Sequence, residues 1–175
     1  MLSQRFFRYA LFVVLATSAI GAQASGFGTF FQCKRTAIID VPDGTPLTAA
    51  AESLGLTGLV DLIDGAGIAD DLDSASGITV FAPGNDAIDA LLAGVTPQSN
   101  DVLVAILQYH VVPRPFDPRQ VAYIRKVPTL LGQDLFVSRS RNGPDVNQSN
   151  VVDCQGYRSD AWLVWVIDSV LLPQF

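Results

Sequence analysis

"GITVFAPGNDAIDALL", Gly77 to Leu92, changes periodicity halfway along, and that change decides the kind of fold the chain builds. Its first half is a compact run of β-branched and aromatic residues between Gly77 and Pro83, the pattern of a buried strand. The continuation "NDAIDALLAG" offers Asn85 or Asp86 as a helix cap. It sets Ile88, Leu91 and Leu92 on an apolar stripe and ends at Gly94.

Upstream, "PLTAAAESLGLTGLVDLIDGAGIADDL" predicts two helices broken around Gly55 to Gly58, with Leu59, Leu62 and Ile63 on one face. Downstream, "SNDVLVAILQ" repeats the pattern of a polar cap before an apolar helix and runs into "YHVVP", where a strand begins. Pro113, Pro115 and Pro118 then impose an extended loop, because each fixes its own φ and disfavours helix in the residue before it. Beyond it, "VAYIRKV", "PTLL", "DLFVSR", "DVNQSNVV" and "AWLVWVIDSVLL" read as short strands, separated by Pro128, Gly132, "RNGP" and "QGYRSD". Helices early and strands late give an α+β domain rather than a βαβ array.

The chain of 175 residues is the size of one ordinary domain and long enough to bury a core without a metal. Its hydrophobic share is 49% and its charged share 16%, and part of that apolar excess lies at the N-terminus. Arg5 and Arg8 precede the run "ALFVVLATSAI", and Ala22 and Ala24 supply the small-x-small pattern of a signal-peptide cleavage site. The run is far shorter than the ~20 residues that span a bilayer. Residues 1–24 are therefore expected to be a signal peptide, residues 25–45 an N-terminal lead-in segment, and residues 46–175 the single domain. Loss of Arg5 and Arg8 takes the formal net charge from −6 to −8, a surface that repels phosphate backbones, so nucleic acid is not an expected partner. "SVLLPQF" lacks the spacer and long tail of a lipid-anchor signal, so no stable membrane anchor is expected after cleavage.

Cys33 and Cys154 are the two cysteines. In an oxidising compartment their simplest fate is one disulfide tying the N-terminal segment to the C-terminal part of the fold, with free thiols or intermolecular pairing as the alternatives. The spacing is not that of a redox motif.

Three blocks in this order, "GITVFAPGNDAIDALL", "ILQYHVVP" and "VNQSNVVDCQGYRSDAWLVWVIDSVLLP", resemble the fasciclin family, and "VPTLLGQDLFV" between the last two fits its pattern of a Thr-Leu pair, a glycine and a strand. The resemblance runs over residues 46 to 173. It implies an α+β wedge, a twisted two-sheet β core with helices packed around it, in proteins that are mostly extracellular or surface-attached and serve in adhesion or matrix interaction. The chain departs from the pattern at Ile88, where the family has an aromatic. It departs again in the last block, where Ala161, Trp162 and Trp165 stand in place of an Asn-Gly pair and a histidine before "VID". Gly156 and Tyr157 occupy the place of an Asp-Ile pair through which some animal members are thought to contact receptors, and Asp153 fits it only with a gap. Receptor binding is not carried over there. Tyr109 and His110 do match the family's Tyr-His segment.

His110 is the single histidine of the chain. Its apolar neighbours predict a neutral imidazole hydrogen-bonded inside the core, against which stands a partly exposed Tyr-His recognition edge. One histidine and two committed cysteines do not make a zinc site, and no G-x-S-x-G elbow is present. The acidic run "DLIDGAGIADDLD" lacks the ligand spacing of a calcium loop and reads as a solvated helical face. No cofactor is implied. Asn147-Gln148-Ser149 is a permitted N-glycosylation acceptor, opposed by the resemblance, which puts Asn147 in or beside a strand where its amide is buried. Trp162 and Trp165 fall on opposite faces of a regular strand, one in the core and the other exposed or beneath a loop, with packing of both as the plainer alternative.

These readings point to a secreted adhesion, matrix or cell-wall interaction protein whose partner is an extracellular protein or polysaccharide, with Tyr109, His110, Phe116 and Tyr157 as candidate contact residues. The alternative is a small-molecule carrier or divergent enzyme using a pocket between helices and sheet. A polar pocket holding an exposed His110 favours the second reading, and a sealed, packed cleft with an exposed aromatic patch favours the first.

Overall fold

The computed structural model describes Cys33, residues 36–94 and residues 99–175. The expected signal peptide and about half of the lead-in segment lie outside the described residues.

β2, Ile78–Pro83, is buried along its whole length, and the other elements are arranged on its two faces. On one edge it pairs antiparallel with β3, Val111–Val112, and on the other parallel with β8, Trp162–Ile167. β8 pairs antiparallel with the ten-residue β7, Ser149–Arg158, whose far end continues the sheet through β6, Pro144–Val146, then β5, Asp134–Arg139, and β4, Arg125–Pro128. β1, Ile39–Asp40, adds to β7 in parallel.

Strand alternation divides the interior in two. From β2 and β8, Ile78, Val80, Ala82, Trp162 and Val164 face the helices, while Phe81, Leu163, Trp165 and Ile167 face a second core completed by Val127, Leu135, Val137 and Val146 of the other strands. Both tryptophans are thus buried on opposite faces. Trp162 donates its indole N–H to the Thr45 carbonyl at 2.9 Å, and Trp165 donates to that of Phe116 at 3.1 Å. Packing of both, rather than exposure of one, is what the structure shows, because the sheet separates two cores that each take a large side chain.

The helical layer has one helix more than the sequence predicts upstream of β2. α1 (Leu47–Ser53), α2 (Thr57–Ala66) and α3 (Ala69–Ser74) are separated by left-handed Gly55 and Gly67, at φ 77° and 71°. None of the three has a side-chain cap of its own, and neighbours cap two of them. Asp73 accepts both the backbone N–H and the hydroxyl of Thr48 at 2.9 and 2.6 Å, closing the start of α1. Asn85, read from sequence as a cap for its own helix, instead accepts the Gly58 N–H at 3.1 Å and donates to the Gly55 carbonyl at 2.9 Å, closing the start of α2.

α4 (Asn85–Gly94) buries Ala87 and Ile88 but leaves Leu92 exposed, so its apolar stripe is shorter than predicted. α5 (Asn100–Tyr109) starts as read, with the Ser99 hydroxyl accepting from Val102 N–H at 3.4 Å. Among the late segments, "DLFVSR" is β5 as written. "VAYI" before β4 is not a strand, "PTLL" gives only its Pro128 to the end of β4, and "DVNQSNVV" is a hairpin rather than one strand. Its two-residue turn is Asn147-Gln148, both left-handed at φ 49° and 73°, as a primed hairpin turn requires.

Cys33 and Cys154 form a disulfide, the pairing expected from sequence. Cys154 lies in an irregularity of β7. Val151 opposes Ile167 and Gly156 opposes Trp165, so the intervening residues bulge from the ladder, with Asp153 and Cys154 left-handed at φ 51° and 54°.

Candidate functional site

α5 delivers Tyr109 and His110 to the junction of helix and sheet, where successive side chains take different paths. His110 turns inward and is 3% exposed. Its Nδ1–H donates to the Ile106 carbonyl at 2.7 Å, and its Nε2 accepts the backbone N–H of Leu171 at 2.9 Å. That pair of partners fixes a neutral tautomer. Burial pushes the imidazole down to about 4, against which the Ile106 hydrogen bond works only in part. The exposed-edge reading of His110 is therefore corrected. Its ring is a tie between α5 and the C-terminal segment, with neither nitrogen left to act on a substrate.

The space between helices and sheet is closed as well. Around His110, Leu59, Ile63, Val80, Leu107 and Val164 leave a cavity of about 20 Å³, room for a single water at most and lined by apolar groups. The carrier or enzyme alternative placed its ligand there, and the packed side chains leave it no room.

Tyr109 points the other way. Its ring is buried, but its hydroxyl donates to the Asp134 carbonyl at 3.2 Å and accepts from Asn147 Nδ2 at 2.8 Å. Asn147 Oδ1 in turn accepts the Phe136 N–H at 2.8 Å. The amide nitrogen of the glycosylation acceptor is thus a donor inside the fold. Ser149, the third residue of that motif, is 1% exposed and bonds Asp168.

Over this hydrogen-bonded floor lies a solvent-open cleft of about 770 Å³, lined among others by Tyr109, Ile124, Phe136, Asp145, Asn147 and Leu172. Ile124, Phe136 and Leu172 are exposed apolar side chains. The far wall is the C-terminal tail, pinned where Gln133 accepts the Gln174 N–H at 2.9 Å and donates to its carbonyl at 2.7 Å. Asp168 anchors the same segment. Partial burial raises its carboxyl, but hydrogen bonds from the Asn150 side chain and backbone and the Ser149 hydroxyl outweigh this and hold it below the usual carboxylate range.

The remaining candidates sit away from this cleft. Phe116 is buried, stacked edge-on to Phe81 at 6.4 Å, because the proline loop folds back onto the second core. Tyr157 is half-buried and packs against the helix-side core. Neither forms a projecting aromatic contact. Phe136 was missed, although the alternation in "DLFVSR" already places it opposite the inward Leu135 and Val137. Among the described residues no cluster of three His, Cys, Asp or Glu is placed to hold a metal, and no helix is long and apolar enough to cross a membrane.

A fasciclin domain profile matches residues 54–173. The chain is 30% identical over 175 residues to Protein sll1483 of Synechocystis sp., covering 95% of this chain and 96% of that protein. It is 28% identical to transforming growth factor-beta-induced protein ig-h3 of Oryctolagus cuniculus over 174 residues, 97% of this chain but a quarter (25%) of that protein's length. Among solved structures, a FAS1 domain pair from the insect cell adhesion molecule Fasciclin I superimposes with a TM-score of 0.56 at 20% identity, over 69% of this chain and 46% of that one. This last likeness shows the α+β fold. Because the match runs from the turn before α2 through every strand from β2 to β8 and on to Pro173, the chain belongs to the fasciclin domain family.

Proposed function

We propose that the protein is secreted and acts in extracellular adhesion, matrix or cell-wall interaction, docking its partner through the open cleft over β4, β5 and β6. The observation that carries this reading is the exposed trio Ile124, Phe136 and Leu172, set around polar groups in a cleft of about 770 Å³. Apolar side chains gathered in a concave surface mark interaction sites. The sealed interior leaves recognition to the outside. Of the four contact residues read from sequence, Tyr109 alone lines this surface.

Secretion is supported by the leader pattern in residues 1–24 and agrees with the Cys33–Cys154 disulfide, a bond that persists in oxidising compartments. One structural neighbour is a cell adhesion molecule by name. The reading assigns no catalysis.

The test passes the purified secreted chain over extracellular protein and polysaccharide fractions, with unfolded protein as control. Saturable capture that Phe136→Ala abolishes, while leaving the melting temperature within a few degrees of the parent, is the expected outcome. Capture that is absent, or indifferent to Phe136→Ala, sinks the assignment to this cleft.

A further inference from the structure

We infer that the occupant of the cleft over β4, β5 and β6 is a neutral polysaccharide chain; this deepens the interaction reading above and rests on it. On β5, Leu135 and Val137 are fully buried, so Asp134, Phe136 and Ser138 project to the cleft side. They follow one another at steps of about 7 Å, twice the rise per strand residue. Across the ladder, Asp145 of β6 stands opposite Ser138, and Lys126 of β4 stands opposite Phe136 with its Nζ 5.4 Å from the ring centroid. An apolar ring is thus bracketed along the strand by a carboxylate and a hydroxyl, with a second carboxylate beside it and Ile124 and Leu172 as further apolar surface.

The main-chain groups on the floor are already occupied. Phe136 N–H goes to Asn147, the Asp134 carbonyl to Tyr109, and the backbone of Gln174 to the Gln133 amide. An extended peptide laid across this face, rather than along the outer edge of β4, finds none of these main-chain groups free to pair, and such pairing is how peptides usually gain affinity on a sheet. What remains on offer are side-chain acceptors and apolar patches. Asp145 uses one oxygen for the Gln148 N–H at 2.7 Å, leaving the other for a ligand hydroxyl. A pyranose has that complementary surface: hydroxyl donors around its rim and a C–H face that packs on an aromatic ring.

Charge selects among sugars. Asp134 and Asp145 outnumber Lys126 at the cleft, and the formal net charge is −6 for the whole chain and −8 without Arg5 and Arg8, so a uronate or sulfated chain is repelled. The cleft is open rather than a blind hole, which suits an internal stretch of polymer.

The experiment titrates the full secreted chain with cellohexaose, chitohexaose and mannohexaose, and with an oligogalacturonate of similar length. Saturable binding of at least one neutral oligomer is expected, weakened about ten-fold or more by Phe136→Ala and also by Asp145→Asn, with the oligogalacturonate weaker than that oligomer. Phe136 is exposed and the half-buried Asp145 keeps an acceptor oxygen for Gln148 N–H as asparagine, and unchanged melting curves confirm that each variant is folded. No binding by any neutral oligomer, equal or tighter binding of the uronate, or indifference to Phe136→Ala overturns the inference. If the neutral oligomers fail while the extracellular protein fraction is still captured in a Phe136-dependent way, the cleft docks a protein: this inference falls and the interaction reading stands. Failure of both captures removes both.

Discussion

Gly156 stands directly opposite Trp165 in the β7–β8 ladder, and the indole lies over the glycine so closely that a Cβ there would sit 2.7 Å from Cη2 and 2.8 Å from Cζ3 of the ring. Both positions are among the departures from the family pattern, and they are neighbours. The large residue on β8 needs the missing side chain on β7. The ring has nowhere to retreat, because its N–H is held by the Phe116 carbonyl, and the Arg119 guanidinium lies over it, 4.7 Å from the centroid. Arg119 is itself fixed by Asp117 through two hydrogen bonds of 3.0 and 2.9 Å and by the Thr36 carbonyl.

Gly156→Ala is accordingly expected to destabilise the protein by about 2 to 3 kcal/mol, the range of an overpacked core. Urea unfolding monitored by tryptophan fluorescence measures it. In the background Trp165→Leu, which removes the overlying ring, the same glycine change should cost less than about 1 kcal/mol. Equal costs in both backgrounds would refute the pairing.

His110 predicts how the fold responds to acid. Its folded-state value is about 4 and its ordinary value 6.5, so the unfolded chain takes up the proton first. The stability tied to the neutral ring is fully present above about pH 6.5. It declines as the pH falls towards 4, by about 3 kcal/mol in all. Asp168 and Asp160, whose carboxyls are held below the ordinary 3.8, lose their contributions only as the pH drops from that region downward. Free energies of unfolding at intervals between pH 7.5 and 4.5 should show the slope, and His110→Gln should flatten it while lowering stability at pH 7.5 by about 1 to 3 kcal/mol. An unchanged slope in that variant would assign the acid response elsewhere.

The strand-to-helix switch at Gly77 to Leu92 is legible because both halves obey local periodicities, and β5 is legible for the same reason. β1 is not, since two exposed residues carry no pattern. They become a strand by pairing with β7 over more than a hundred positions, near the Arg158–Asp40 ion pair and the disulfide. Asn85 was readable as a cap, but which helix it caps depends on α2 packing against α4. The burial of His110 was legible from its neighbours, whereas its partner Leu171 lies 61 residues away. The cleft was invisible for a related reason: its wall exists only because Gln133 clasps Gln174 at a separation of 41.

Opening the Cys33–Cys154 disulfide should act mainly on the N-terminal segment. Its two ends are 121 residues apart, for which chain entropy gives about 4 to 5 kcal/mol as an upper figure. The segment it secures supplies the Thr36 carbonyl to Arg119, the Ala37 carbonyl to Gln155 at 2.7 Å, and β1 to the edge of β7. In the double variant Cys33→Ser/Cys154→Ser, amide exchange is expected to quicken first at residues 36–41 and at Gln155 to Arg158, before the β2–β8 ladder changes. Uniform loss of protection across the sheet would show instead that the bond holds up the whole domain.

Asn147 gives the last test, because three demands meet in one side chain. It accepts from Phe136 N–H, donates to the Tyr109 hydroxyl, and adopts a left-handed backbone that asparagine tolerates better than most residues. Asn147→Ala should therefore cost more than Tyr109→Phe, about 2 kcal/mol against about 1, since the former also leaves a backbone N–H without its partner. The double variant should cost less than the sum of the two, by about 0.5 kcal/mol or more, because the shared hydrogen bond is lost only once. Thermal and urea unfolding of the four proteins closes the cycle. Strict additivity would mean that the Tyr109–Asn147 contact does not tie α5 to the β6–β7 turn, and that the floor of the cleft is held by the Phe136 bond alone.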